Sequence, residues 1–503
     1  MSAVLGISGA KRNAAAAICV DGQIRAACEQ ERLTRVRGIG LVAGALPVEA
    51  VEQVMSLSVC RPDDITTYVV AEPEVRLPAG LRTVTLDHHL AHAATALLTA
   101  PFDRAAVIVC DSHPDRELSV WIGDGNRLDD QGWPWQGRAF ATLYSQCAEL
   151  FDCAGQGQAH ALEALAHLGR GDTVEQLQTM FHYADGALEI ESGWRADIVE
   201  MIQRERRRHG HAAETASAVQ RRIGELLLEF LADVRANVET DTLCLGGGLF
   251  YNTYFNTLVR TSGIFTETFV PINPGNAGLG VGAALMVASQ QDGVRKSTAA
   301  SPFLGPKYDS EAIKAALEGC KLSYDFVSET EAQEAAVEAL VRGQLVAWFQ
   351  GRMEWGHRAL GHRSILADPR SPYVLDNLNF FLRKRERSRP FGVSVCDDTV
   401  RDLFCGPASS SFMEYQYRPR DDRFRHIMPA GATAIRVQTV APDMGPFWTL
   451  LKRMEQATGT GVLVNTSFNG FHEPIVCSPH DAIRVFFGTG LDMLVLERFI
   501  LRK

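Results

Sequence analysis

Apolar runs that empty into glycine-rich or polar loops recur through the first half of the chain, and they set the expected architecture. Residues 4–23, VLGISGAKRNAAAAICVDGQ, read as a strand, a glycine turn, a second strand and a DG hairpin. Residues 105–126, AAVIVCDSHPDRELSVWIGDGN, repeat that plan. A third strand-to-loop step, TLCLGGGLFYN at 242–252, follows a long amphipathic helix predicted over 212–236. A fourth, FVPINPGNAGLGVG at 269–282, leads into a helix over 281–289. Repeated strand-to-glycine-loop transitions facing one cleft are the plan of duplicated α/β nucleotide-handling domains. An unrelated α/β sheet with ordinary turns is the alternative.

Small residues, prolines and glycine replace helical periodicity at 297–307, so a domain boundary is expected there. The remainder mixes helices with strands. Its last part, GVLVNTSFNGFHEPI at 461–475, is an apolar strand that runs into Asn465, Thr466, Ser467 and Asn469. Such a strand end is either a binding edge or an Asn/Ser turn.

At 503 residues the chain is too long for one ordinary core, and two or three domains are expected. Hydrophobic content of 46% with 22% charged residues describes a globular protein. The amino terminus has no basic segment followed by an apolar core, so no signal peptide is expected. Residues 277–288, AGLGVGAALMVA, are too few and too glycine-rich to span a bilayer. Eleven cysteines without a CxxC pair suit a reducing cytoplasm better than a disulfide framework or a structural zinc site.

Cations change the picture locally. The formal net charge is -10, yet residues 351–370, GRMEWGHRALGHRSILADPR, carry Arg352, Arg358, Arg363 and Arg370 with His357 and His362. A second basic run, RKRERSR, follows at 383–389. Guanidinium forks suit phosphate and carboxylate oxygens. Aromatic residues are not interleaved with these arginines and no nucleic-acid-binding motif spacing occurs, which argues against a nucleic-acid groove. A small-molecule phosphate site and a solvated basic loop remain as readings.

Residues 87–93, DHHLAHA, form the other chemical cluster. If helical, the segment puts His88 and His92 on one face at i and i+4, where both imidazoles reach one ion. His89 points elsewhere, where it could orient a substrate or move a proton. Asp111 closes the apolar strand AAVIVCD, and strand ends are where such sheets place ligands. The resulting N2O set suits Fe(II), Mn(II) or Zn(II) without choosing among them.

These pieces, in this order, resemble the carbamoyltransferases of the nodulation-protein and cephalosporin- and tobramycin-biosynthesis type. The matching segments are LGISG, EQERLTR at 29–35, DHHLAHA, GGGLFYN at 246–252, SPFLGPKY at 301–308, the 351–370 stretch, KRERSRPF at 384–391, RVQTV at 436–440 and NTSFNGFHEPIV at 465–476. They cover nearly the whole length.

The resemblance implies an α/β fold in two units: an actin-like (ASKHA, Kae1-like) duplicated domain over 1–300 and a YrdC-like α/β domain over 301–503. The second would join carbamoyl phosphate to ATP with Mg2+, giving carbamoyl-adenylate; the first would pass the carbamoyl group to a hydroxyl, or an amine, of a natural product or sugar. It implies His88, His92, Asp111 and Asn276 as ligands of Fe2+ or another divalent transition metal. His89, Arg358, Arg363 and Lys384 would be catalytic. Gly246, Gly247, Gly248, Asn252, Gly275, Asn276, Arg389, Asn465, Ser467 and Asn469 would hold the nucleotide. The expected setting is cytoplasmic, as a homodimer, with neither nucleic acid nor membrane as partner.

The chain departs from the family pattern in places. Arg12-Asn13 replace a His-Asp pair, and residues 111–115, DSHPD, replace a DGxGE-like loop. GQGQA at 155–159 replaces a GEEGK segment, and Asn276 replaces an aspartate. His357 stands for proline, His362 for asparagine, and PAGATAIR at 429–436 for an HxDGTAR stretch. A second reading follows: a partner subunit that keeps the fold and nucleotide binding without transfer, or an enzyme retaining only activation or using another acyl chemistry.

Overall fold

The computed structural model describes residues 3–41, 45–72, 75, 77, 80–151, 158–292, 301–385 and 389–503. Parts of the expected boundary (297–300), of GQGQA (155–157) and of the second basic run (386–388) lie outside the described residues.

The internal repeat is a repeat of topology. Strands Ala3–Ser8, Ala15–Val20, Gln23–Glu29, Ile65–Val70 and Thr83–Thr85 form one five-stranded sheet. Strands Arg104–Cys110, Leu118–Asp124, Arg127–Asp130, Thr242–Gly246 and Glu267–Phe269 form a second. In both, the first three strands are antiparallel neighbours, the fourth pairs parallel to the first, and the fifth pairs parallel to the fourth. A doubled 3-2-1-4-5 order is the duplicated actin-like plan. The first hairpin turns on Asp21 and Gly22, both at positive φ, as a type I′ turn requires. The second turn falls one residue later than the DG expectation, on Gly125 and Asn126.

Helices His88–Leu98 and Leu279–Asp292 pack between the two sheets, in a core with Val4, Val107, Ala91 and Ala284. Their alanines and glycines allow close approach: a Cβ on Gly6 would lie 1.9 Å from the Gly280 carbonyl oxygen. Helix Val48–Ser58 covers the outer face of the first sheet. Helices Phe140–Leu150, Trp194–His209 and Ala213–Asn237 cover the outer face of the second.

The carboxyl-terminal part is a mixed ten-stranded sheet. At its centre Val346–Phe349, Arg363–Ala367, Val462–Ser467, Gly392–Cys396 and Ile435–Val440 lie side by side. Helices Ser310–Gly319 and Pro479–Gly488 pack on one face, and Glu329–Val341 and Pro446–Thr458 on the other. The fold is therefore α/β throughout, as expected. Among the described residues no helix is long and apolar enough to cross a membrane.

The stretch 351–363 is laced to the amino-terminal part. Glu29 accepts a hydrogen bond from the Gly356 N–H at 2.9 Å, and Arg32 donates to the Gly356 carbonyl at 2.8 Å. Arg352 donates to the carbonyls of Arg25 and Leu304. Arg35 donates to Pro474 and Ile475 carbonyls and faces Asp481 at 3.4 Å. EQERLTR is thus a clamp, and its cations meet carbonyls that would otherwise be buried unpaired.

Candidate active site

Two clusters face each other across Tyr251. The first is built on helix His88–Leu98, whose N-cap Asp87 accepts from the Leu90 N–H. The i, i+4 spacing turns His88 and His92 to one side, where each Nε2 lies 3.1 Å from Asp111 Oδ2. One ligand atom from each residue lies within 4.8 Å of the others, a group able to hold a metal ion. All three side chains are buried. Burial works against the Asp111 charge, but hydrogen bonds from both histidines outweigh it and hold the carboxyl well below its usual range. Burial pushes His92 down. His88 Nδ1 is buried without a protein partner, and His113 stacks on the His88 ring at 4.3 Å.

The glycine loop at 246–248 fits against this cluster. A Cβ on Gly246 would press on the His92 backbone, and one on Gly248 would lie 3.2 Å from Asp111 Oδ1. Gly247 has φ +101°, and its Cβ would overlap the Cys110 carbonyl. Gly275 lies under the Tyr251 ring, where a Cβ would come within 2.4 Å. Asn276 starts the short turn Asn276–Gly278 on the same side and is half-buried.

His89 points away from the other two. Its Nδ1 meets the Ser119 hydroxyl at 2.6 Å, which also accepts from the Trp121 indole. Burial, with His92 and His88 nearby, pushes its pKa down to about 3. An imidazole that weakly basic is a poor proton acceptor. Asn252 is corrected as well. Its Oδ1 caps helix Thr253–Ser262 by accepting from Tyr254 and Phe255, and its Nδ2 donates to Gln220, so both ends of the amide serve the fold.

The second cluster is a cavity of about 740 Å³ between the amino- and carboxyl-terminal parts. Among the described residues seven cations line it (Arg37, Arg358, Arg383, Lys384, Arg385, Arg389 and Arg436) against one carboxylate, Glu163. That imbalance makes it an anion site. Arg358 is half-buried, with one Nη2 donating to the Tyr251 carbonyl. Burial and then the neighbouring Arg436 push it down to about 9. A guanidinium keeps its proton, so that push reflects how little counter-charge meets it. Burial alone pushes Arg383 to about 10. Arg383 donates to the Ser467 carbonyl and to Asn469, and so fixes the NTSFN loop. Ser467 and Asn469 line the cavity with their side chains bonded to each other at 2.8 Å.

Other expected members lie elsewhere. Arg363 is fully buried, donating to the carbonyls of Gln350, His362, Pro306 and Gly351 beneath Phe349. It holds the loop and does not reach the cavity, which corrects the expected phosphate contact. Arg352 serves carbonyls too, and Arg370 pairs with Asp368 at 2.6 Å. Asn465 sits behind the wall, donating to Ser394 and Gln438.

Sequence reasoning missed several residues. Arg436, His160 and Glu163 line the cavity, yet the last two sit in an alanine-rich helix, Gln158–Ala166, that reads as core. Glu354 was missed as well: its Oε1 accepts from the N–H groups of Leu360, His362 and Arg363 at 2.8–2.9 Å. A single glutamate in the arginine stretch was the available signal. Tyr251 joins the two clusters. Its hydroxyl donates to Asn273, its carbonyl accepts from Arg358, and its ring abuts His357 at 4.3 Å.

Comparison with known proteins covers both clusters. The Carbamoyltransferase N-terminus model matches residues 74–285 and the Carbamoyltransferase C-terminus model matches 337–503. An uncharacterized protein of Synechocystis is 30% identical across all of this chain and 97% of its own length. Nodulation protein NolO of Bradyrhizobium diazoefficiens is 28% identical over 83% of this chain and 79% of its own length. Among solved structures, full-length HypF in a phosphate- and nucleotide-bound form overlaps 60% of this chain and 56% of its own at 13% identity, with a TM-score of 0.38. That overlap is too loose to assign anything. The two family matches take in the histidine–aspartate cluster on one side and most of the cavity's cations on the other, and with a relative of matching length they establish that the chain belongs to the carbamoyltransferase family and is a transferase.

Proposed function

We propose that the chain joins carbamoyl phosphate to ATP as carbamoyl-adenylate and passes the carbamoyl group to a small-molecule hydroxyl of the natural-product or sugar type. Residues 301–503 form the adenylate and residues 1–300 direct the transfer. One observation carries the reading: a cavity at the junction of the two parts, lined among the described residues by seven cations and one carboxylate. Carbamoyl phosphate and ATP, with Mg2+, bring more negative oxygens together than a neutral pocket could hold. Arg358 and Lys384 supply positive field as phosphate gives way to adenylate. Arg389, Ser467 and Asn469 position the phosphates or the planar carbamoyl group.

The family implies a metal, and the residues fit one. His88 and His92 present Nε2, Asp111 presents Oδ2, and the orphaned His88 Nδ1 is free to be oriented by water. Asn276 could add a neutral carbonyl ligand but brings no charge. The donor set does not choose among Fe(II), Mn(II) and Zn(II). A divalent ion held there would supply Lewis-acid polarisation of the carbamoyl carbonyl. Tyr251 lies between that site and the cavity, bonded to Asn273 on one side and to Arg358 on the other.

The test is incubation with ATP and carbamoyl phosphate, following pyrophosphate and a carbamoyl-adenylate mass. Pyrophosphate release that depends on carbamoyl phosphate supports the reading. Its absence, with and without added Fe(II), Mn(II) or Zn(II), would sink it.

A further inference from the structure

Transfer to a hydroxyl needs a group that takes the nucleophile's proton, and His89 is turned to Ser119. The cavity holds other imidazoles. His167 is committed to the Ala434 carbonyl. His357 lies against Tyr251 and is pushed down by burial and by the cations Arg358 and Arg436. His472 is exposed and sits edge-on to the Phe471 ring, with no carboxylate paired to it among the described residues. His160 is different: its side chain lines the cavity, is 41% exposed, and its Nδ1 faces Glu163 Oε2 at 3.8 Å, beyond a direct hydrogen bond but in range of an ion pair once the ring takes a proton.

Glu163 is built to orient it. Its other oxygen, Oε1, accepts from the Thr253 N–H at 3.0 Å and the Thr253 hydroxyl at 2.6 Å, so the carboxylate cannot swing away. Burial raises the Glu163 pKa, but His160, Arg436 and Arg358 outweigh it and keep the group ionised. The groups facing His160 are Glu163 on its own helix, and Tyr251 and His357 from the elements packed against it; the cations Arg358 and Arg436 act on Glu163 and on His357. His357 runs parallel to the His160 ring at 6.3 Å, and both of its ring nitrogens are buried without a protein partner. Two unsatisfied nitrogens beside a carboxylate-paired imidazole mark a place where a polar ligand belongs.

We infer that His160, oriented by Glu163, is the general base that accepts the proton of the acceptor nucleophile during carbamoyl transfer. The inference rests on the adenylate reading above. In the step, the nucleophile's oxygen bonds to the carbamoyl carbon and the bond from that carbon to the AMP phosphate oxygen breaks. AMP leaves with the electron pair, and the nucleophile's proton moves to His160 Nε2, the nitrogen turned from Glu163. The proton then passes to solvent.

Water serves as the probe acceptor, so no acceptor need be known. Wild type, His160→Gln and Glu163→Gln are given ATP and carbamoyl phosphate. First-turnover pyrophosphate reports activation, and steady AMP formation reports transfer to water. In His160→Gln, pyrophosphate should stay within about twofold while AMP formation falls by about 10²-fold or more. The fall-off of AMP formation at low pH, where an imidazole base is protonated, should vanish with it. Glu163→Gln should show a smaller loss and shift that fall-off. Hydroxylamine, which attacks without a base, should bring AMP formation in His160→Gln close to wild type. Unchanged AMP formation and pH profile in His160→Gln would overturn the assignment. So would equal loss of pyrophosphate and AMP, which would place His160 in activation. Absence of pyrophosphate in wild type is distinct from both and would remove the adenylate reading and this inference together.

Discussion

Replacing Arg358 by glutamine separates binding chemistry from folding. Among the described residues Arg358 has one hydrogen bond, to the Tyr251 carbonyl at 3.1 Å, and faces Arg436 as well as the carboxylates Glu163 and Glu414. Its downward push to about 9 means that the fold holds a cation with too little compensation. A charge-assisted hydrogen bond to phosphate contributes about 1.5–3 kcal/mol, and losing a partner from an enclosed charged pair costs about 2–5 kcal/mol. Taking about 3 kcal/mol at about 1.4 kcal/mol per tenfold, Arg358→Gln should lower kcat/KM for pyrophosphate release by about 10²-fold. Stability should hold or rise, because a poorly compensated charge is removed. Thermal melts with and without ATP supply the second readout: ATP raises the wild-type Tm and leaves the variant's nearly unchanged. Arg358→Lys should recover only part of the activity, since an ammonium lacks the fork. Near-wild-type pyrophosphate release from a stably folded Arg358→Gln would refute the reasoning.

Arg363→Met should behave in the opposite way. It strips donors from four carbonyls, three of them buried, costs about 3 kcal/mol or more, and lowers Tm while the protein that still folds keeps its KM for ATP; a raised KM with unchanged Tm would contradict this. Glu414, pushed up to about 7 by burial, gives a pH signature. Between its unfolded value near 4.5 and about 7 the native state holds the extra proton, so stability falls as pH rises through that window, by up to about 3 kcal/mol. In Glu414→Gln that slope should disappear in melts from pH 4 to pH 8, and an unchanged slope would refute it. His88→Ala should lower the bound transition metal per chain by at least about tenfold in elemental analysis, and equal content would remove the ligand role.

Spacing was legible where periodicity carries direction. DHHLAHA at i, i+4 put His88 and His92 on one face, and the strand ending at Cys110 delivered Asp111 to them. The repeated strand-and-hairpin plan foretold two sheets of one topology. The arginine stretch was read less well, since side-chain type does not reveal which acceptor each cation meets. Arg352 and Arg363 found backbone carbonyls, Arg370 found Asp368, and only Arg358 of the four faces the cavity. Those carbonyls come from residues such as Gln350, Pro306 and Leu304, whose approach only the tertiary fold decides. Glu163 and His160 were hidden for a different reason. Their helix reads as alanine-rich core, and the cations that give them meaning are about 200 to 270 residues away in sequence.

The central claim is that the cationic cavity makes an acyl-adenylate. Oxygen-18 placed in the bridging C–O–P position of carbamoyl phosphate, with ATP and the intact chain, tests it most directly. Joining the carbamate oxygen to the α-phosphorus of ATP would carry the label into AMP, with pyrophosphate and inorganic phosphate as the other products. Label confined to inorganic phosphate, or ADP in place of AMP and pyrophosphate, would contradict the account.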